Sequence, residues 1–247
     1  MNLYKADLHT HTVLSPCGDL EMSPESIVKK AKEKGLDILG ITDHNSTLNC
    51  KVLEEVAKDY DLMILKGAEV TSKEEAHCLT FFENNDELFE FQTYLENNLP
   101  KIKNDVNRFG YQVVVDRDEN IIEHVVWLLI SAIDASINQI EEKVHQLNGL
   151  FIPAHIDRAR YSILSQLGFV PADLNCDALE LSKFAQKNEF IERNKYLASY
   201  SFIQSSDAHF ISDVGTATTF LQMENRSFKE IEMALKGING RKIVYHE

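Results

Sequence analysis

Cysteine pairs, a basic stripe and long apolar runs are all missing from this chain, and each absence removes a class of protein. The four cysteines, Cys17, Cys50, Cys78 and Cys176, stand far apart and form no C-x-x-C pair. They read as thiols of a reducing compartment, not as a disulfide framework or a zinc ribbon. Basic residues number 25 against 39 acidic ones, for a net charge of -14. Without a basic surface to release counterions from a polyanion, no long nucleic acid is expected as a partner. Small phosphate esters stay open, because bound cations reverse the sign locally. No apolar run approaches the ~18 residues of a membrane span, so no membrane partner is expected. Met1 leads straight into a charged, strand-like segment without the apolar stretch of a signal peptide, which makes the cytoplasm the expected location. No internal repeat, low-complexity tract or linker stands out.

What is present is a chain of 247 residues, 44% hydrophobic and 26% charged, enough for one large domain of α/β-barrel size. Strand-like and helix-like stretches alternate. Leu3–Leu8 reads as a strand, and Ser23 with Pro24 opens a helix that buries Ile27, Val28 and Ala31 and stops at Gly35. The run 36–42, a helix over 47–59 and the run 62–65 follow. The run Cys78–Phe82 and a helix over 86–99 come next. Residues 101–133 break the rhythm and read as an insertion or extended connection within a single domain spanning 1–247. Ser136 and Gln139 suit a capping box for the next helix, then Leu150–Ile152 is a strand. A short helix at 163–167, a strand at 176–181 holding Glu180, a helix over 187–198 and strands at 201–204 and 216–221 complete the count. A last helix is capped by Ser227 and stopped by Gly237. About seven such units imply parallel pairing, closed as a barrel or open as a doubly wound layer.

The polar residues decide between the two. His9 and His11, His44, Glu69, His155, and Asp207 with His209 all fall at or just past the C-terminal ends of apolar runs. In a parallel barrel those ends meet on one rim, where active sites form. With Asp19 and His77 the set reaches nine imidazole and carboxylate donors, without thiolate, which suits zinc, manganese or iron. Nine are too many for one ion and enough for two or three that share a bridging carboxylate. Paired ions ~3.5–4 Å apart can clamp an in-line phosphoryl displacement.

The segments Asp7–His11, Thr42–His44, Gly67–Glu69 with His77, Pro153–His155 and Ser206–His209 resemble, in order, the motifs of the PHP (polymerase and histidinol phosphatase) family. The resemblance spans nearly the whole chain. It implies a distorted (β/α)7 barrel, TIM-barrel-like, with a trinuclear cluster at the C-terminal rim for phosphoester hydrolysis by a metal-bound hydroxide. By position, His9, His11, Glu69 and Asp207 would hold a first ion. Glu69 would bridge to a second with His77 and His155, and Asp19, His44 and His209 would hold a third. The segment Ser15–Gly18 alters the usual spacing before Asp19, so Glu21 or Cys17 stands as a replacement.

Asp43 is a candidate to orient a ligand histidine, or alternatively a helix cap. Arg158 and Arg160 are candidates to hold phosphate bidentately, and Lys183 is a lesser one. His124, His145 and His246 are assigned to surface or packing, and Trp127 to core or interface. The expected substrate is a small phosphomonoester, a nucleotide or a histidinol-phosphate-like metabolite. Alternatives are a 3′–5′ exonuclease or short-oligonucleotide phosphodiesterase, a non-catalytic metal-holding scaffold, and a hydrolase of C–N bonds.

Overall fold

The computed structural model describes residues 1–245. His246, expected on the surface or in packing, lies outside the described residues. The apolar runs become strands β1 (Asn2–Thr10), β2 (Ile38–Ile41), β3 (Met63–Thr71), β4 (His77–Phe82), β5 (Val113–Val115), β6 (Ile121–His124), β7 (Leu150–Pro153), β8 (Leu179–Leu181), β9 (Phe202–Gln204), β10 (Thr219–Met223) and β11 (Lys242–Val244). Between them lie helices α1 (Pro24–Glu33), α2 (Cys50–Ala57), α3 (Asn85–Asn98), α4 (Val106–Phe109), α5 (Ile137–Gln146), α6 (Ile163–Leu167), α7 (Lys187–Arg193) and α8 (Phe228–Lys236).

Seven strands form one curled sheet in the order β11-β10-β1-β2-β3-β4-β7. β8 and β9 pair in parallel as a separate ribbon. Backbone bonds dock the segments of that ribbon beside β7, at one edge of the curl, and beside β1, within it. On the β7 side, Asp177 N–H donates to Phe151 O at 2.9 Å and Ile156 N–H to Glu180 O at 2.8 Å. On the β1 side, His11 N–H donates to Ala208 O at 3.0 Å. The α/β barrel-like plan expected from the sequence is present.

All-parallel pairing is not. β4 runs antiparallel to both β3 and β7, because only residues 72–76 separate β3 from β4, too few for a crossover helix. β10 is antiparallel to β1 as well. Two helix boundaries also move. α2 begins at Cys50 because Thr47 gives its N–H, at 2.7 Å, and its hydroxyl to the Gln92 side chain. α7 ends at Arg193 and gives way to a 3-10 turn.

Period-2 alternation sorts the strands into two apolar faces. Leu8, Ile38, Leu65, Leu79, Phe81, Ile152 and Ile203 fill the inside of the curl, and Phe228, Ile231 and Leu235 of α8 join them. Leu39, Val70, Phe82, Phe151 and Phe202 face outward under α1, α2, α3 and α5. The filling is tight where strands cross. A Cβ on Gly67 would lie 1.8 Å from Thr80 O, and one on Gly40 2.4 Å from Leu8 O.

The stretch 101–133 forms α4 and the β5–β6 hairpin. Buried amides pin it beside the loop after β2. Asn45 donates to Leu129 O and Ser131 O, Asn49 to Val113 O, and Gln112 to Val125 O and Trp127 O. Among the described residues, no helix is long and apolar enough to cross a membrane.

Candidate metal centre

All the expected ligands except Asp19 sit where a strand delivers them. His9 and His11 end β1, His44 follows β2, Glu69 lies in β3 and His77 starts β4, while His155 follows β7 and Asp207 and His209 follow β9. The parallel register of β1 and β2 slips between Asp7 and Thr10, yet the two imidazoles still meet, with their Nε2 atoms 3.2 Å apart. His155 and Asp207 hold positive φ angles of 30° and 51°, backbone strain of the kind that gathers at functional sites.

Glu69 is the hub. Its Oε1 lies 2.8 Å from His77 Nδ1, 3.0 Å from His155 Nε2 and 3.4 Å from His9 Nε2. Its Oε2 lies 3.1 Å from His44 Nδ1 and 3.4 Å from His11 Nε2. Asp207 Oδ1 sits 3.3 Å from both His9 Nε2 and His11 Nε2, and 3.6 Å from His209 Nδ1. Glu69 is 1% exposed.

Two buried relays fix the rings. His9 Nδ1 donates to Glu180 Oε2 at 3.0 Å, and the same oxygen accepts His155 N–H at 2.9 Å. A carboxylate can only accept, so the proton sits on Nδ1 and Nε2 faces the centre. His11 Nδ1 meets Ser15 Oγ at 2.9 Å, and Ser15 in turn donates to Asp43 Oδ1 at 2.7 Å. Asp43 also accepts Thr12 N–H and the Thr12 hydroxyl, each at 2.7 Å. Asp43 therefore acts on His11 through Ser15, and it does not cap α2, whose N-cap is Asn49.

The donor set fits cations. Nitrogen and oxygen donors of His9, His11 and Glu69 come within 4.8 Å of one another, as do those of His44, Glu69 and His77 and those of His11, His44 and His209. His44 Nδ1 and His155 Nδ1 are buried with no hydrogen-bond partner, a condition rare in folded proteins unless an ion or water answers it. Electrostatics agree. Burial opposes charge on His9, but Glu180, Asp207 and Glu69 outweigh it and raise its pKa. Burial wins at His11 and lowers it. Burial would raise Glu69, but the charges of His77, His9 and His44 hold it well below the usual carboxylate range. Cation binding requires the nitrogens that face the centre to be unprotonated.

Some expected residues stay outside. Asp19, the expected third-ion ligand, is not brought to the cluster. Its Oδ1 accepts Glu21 N–H at 2.8 Å in a local turn. Glu21 is exposed. Cys17 is an exposed residue whose thiol nonetheless sits beside His44 and His209. Burial would raise that thiol, but the two imidazoles draw it down to about 6. Arg158 Nη1 lies 2.6 Å from Asp207 Oδ2, at the edge of the centre. Arg160 is exposed and forms no ion pair among the described residues. Lys183 pairs with Asp213 at 3.6 Å. His124 is exposed and tilts against Tyr111, His145 pairs with Glu141 and Asp177, and Trp127 is half-buried beneath Lys101.

The profile of the PHP domain matches residues 7–165, and that of a PHP-associated region matches residues 186–237. The chain belongs to the PHP family. This PHP chain is 25% identical over 279 residues to the uncharacterised Bacillus subtilis protein YqxK, covering 97% of itself and 63% of YqxK. Among solved structures it resembles the lesion-specific endonuclease Q of Pyrococcus furiosus, at a TM-score of 0.73 and 21% identity. A second endonuclease Q structure, bound to a 27-mer duplex with an abasic lesion, gives a TM-score of 0.75 at 20% identity. In both cases 98% of this chain and 58% of the other are covered. A chain described as a candidate metal-dependent phosphoesterase from Bifidobacterium adolescentis gives 0.53 at 19% identity, over 83% of this chain and 87% of the other. The PHP chain thus spans about three-fifths of the length of YqxK and of endonuclease Q.

Three residues at the PHP site were not singled out for it by spacing. Glu180 appeared only as a strand residue and Ser15 only as part of an unusual spacer. Tyr161 went unnoticed, and its ring stacks on His77 at 5.0 Å and 15° while the residue stays 48% exposed. Only Glu180 gave a signal, as a carboxylate inside an apolar strand.

Proposed function

We propose that this PHP chain hydrolyses a small phosphomonoester, a nucleotide or a histidinol-phosphate-like metabolite, with two or three bound divalent cations. The observation that carries this reading is the convergence of five imidazoles on the buried carboxylate of Glu69. His9, His11, Glu69 and Asp207 would hold one cation, Glu69 with His77 and His155 a second, and His44 with His209 a third. Imidazole and carboxylate suit zinc, manganese or iron. When bound, such cations activate water and neutralise charge on the phosphoryl group.

The chain's own residues do the rest. Glu180 and the Asp43–Ser15 pair hold the first two rings with Nε2 inward. Arg158, now on Asp207, can reach a phosphoryl oxygen placed beside that carboxylate. Tyr161 offers a flat exposed face to an aromatic leaving group. The reading takes residues 1–247 as one catalytic unit on a (β/α)7 plan, with 101–133 as an excursion near its mouth. It sets that unit in a reducing cytoplasm, in keeping with four free thiols.

Phosphate release from a panel of phosphomonoesters, with manganese or zinc added, tests the reading. Turnover is expected for the wild type and not for Glu69→Gln. No turnover with cation content verified would sink it.

A second reading, cleavage of a nucleic-acid phosphodiester, draws support from the likeness to endonuclease Q and from Tyr161 as a stacking surface for a base. The net charge of -14 weighs against a long polyanion. Nicking of an abasic duplex or cleavage of dinucleotides, without release of phosphate from mononucleotides, would favour it.

A further inference from the structure

Between the β8–β9 ribbon and the β10–β11 edge of the sheet lies a cleft of about 750 Å³, a volume that suits a small ligand. It opens because β9 ladders with β8 alone. On the other edge of β9, side chains stand where a neighbouring strand would. The Tyr245 hydroxyl accepts Phe202 N–H at 3.1 Å. The Thr219 hydroxyl accepts Gln204 N–H at 2.9 Å and donates to Gln204 O at 2.8 Å.

The cleft is opposite in sign to the molecule. The chain carries a net charge of -14, yet among the described residues the walls hold Lys183 and Lys187 and no Asp or Glu. Lys183 is partly neutralised from outside the cleft, by Asp213 at 3.6 Å. Lys187 forms no ion pair among the described residues, and its Nζ lies 2.8 Å from the centre of the Tyr245 ring. Partial burial lowers its pKa below the ordinary 10.5. A half-buried ammonium without a counter-ion favours an anion. The bond to Phe202 N–H holds the Tyr245 ring in place. An anion that draws Nζ away therefore leaves the face of that ring to a flat group.

We propose that this cleft is a binding site, separate from the metal centre, for an organic anion that carries a flat ring, with its acid group on Lys187 and its ring on Tyr245. None of the residues around Glu69 lines the cleft, so the inference goes beyond the hydrolytic reading and does not depend on it.

Titration of the full chain with anilinonaphthalene sulfonate tests it. This dye is a sulfonate on flat rings, and its fluorescence rises when it leaves water. The wild type should bind it saturably, and the neutral phenylnaphthylamine, the same rings without the acid, about 10-fold more weakly or worse. Lys187→Glu and Tyr245→Leu should each weaken the dye by about 5-fold or more, with far-ultraviolet circular dichroism unchanged. Lys187→Arg and Tyr245→Phe, which keep the charge and the ring, should stay within about 3-fold of wild type. Glu69→Gln should bind the dye as the wild type does. No saturable binding, a neutral analogue bound as tightly as the dye, or wild-type affinity in Lys187→Glu or Tyr245→Leu overturns the proposal. Loss of the dye in Glu69→Gln places it at the metal centre and overturns the proposal as well.

Discussion

His11 presents Nε2 to its neighbours because two other side chains decide where its proton sits. Ser15 accepts from Nδ1 and hands its own hydrogen to Asp43, and Glu180 does the same for His9 in a single step. Removing such outer partners typically costs 10- to 100-fold in metal affinity. Glu180→Gln and Ser15→Ala should therefore each weaken zinc binding by about 10- to 100-fold, measured by competition with a chelating dye, with far-ultraviolet circular dichroism unchanged. An unchanged affinity would show these contacts to be packing only. The histidines and acids of the centre were legible because they fall at the ends of apolar runs, a pattern the chain must keep to bring them to one rim. The place of Asp19, whose carboxylate accepts Glu21 N–H, was not legible for the opposite reason. Which of two residues in a tight turn faces inward is set by the hydrogen bonds of the turn, and spacing does not encode those.

Between β3 and β4 the backbones approach so closely that Gly67 cannot carry a side chain. Gly67→Ala should destabilise the chain by about 1–3 kcal/mol or more in urea unfolding, as overpacking against an immovable carbonyl does. The ends of α5 and α8 meet at Asp177, which accepts from His145 Nε2 at 3.1 Å, from Lys236 at 3.2 Å and from Phe151 N–H at 2.8 Å. The hydrogen bond to Asp177, helped by Glu141, raises His145 above its ordinary value of 6.5 despite partial burial. A raised folded-state pKa means stability fully present below pH 6.5 and lost as pH climbs through the raised value. The Tm of the wild type should fall as pH rises past 6.5, and His145→Gln should flatten that fall. An equal slope in both would remove His145 from the account. Strand positions were readable from apolar runs, but strand direction was not. The antiparallel turn into β4 depends on loop length, β6 is exposed throughout, and β11 is too short to print an apolar pattern.

Across the whole molecule, the crowd of imidazoles and carboxylates around Glu69 is a charge arrangement completed by something the chain itself does not supply. Cation binding to the native state alone, at a hundredfold excess over Kd, is worth about 2.7 kcal/mol. For a chain of this size that is a Tm shift of roughly 5–10 °C. Adding a chelator should lower Tm by about that much, and zinc should restore it, as read by differential scanning fluorimetry. A chelator-insensitive Tm would mean that the cluster holds nothing. The bond from His11 N–H to Ala208 O has a consequence in time. It joins β1 to a residue very distant in sequence, and the cluster around Glu69 needs both. The slowest event in folding should therefore be the docking of that late ribbon onto β1.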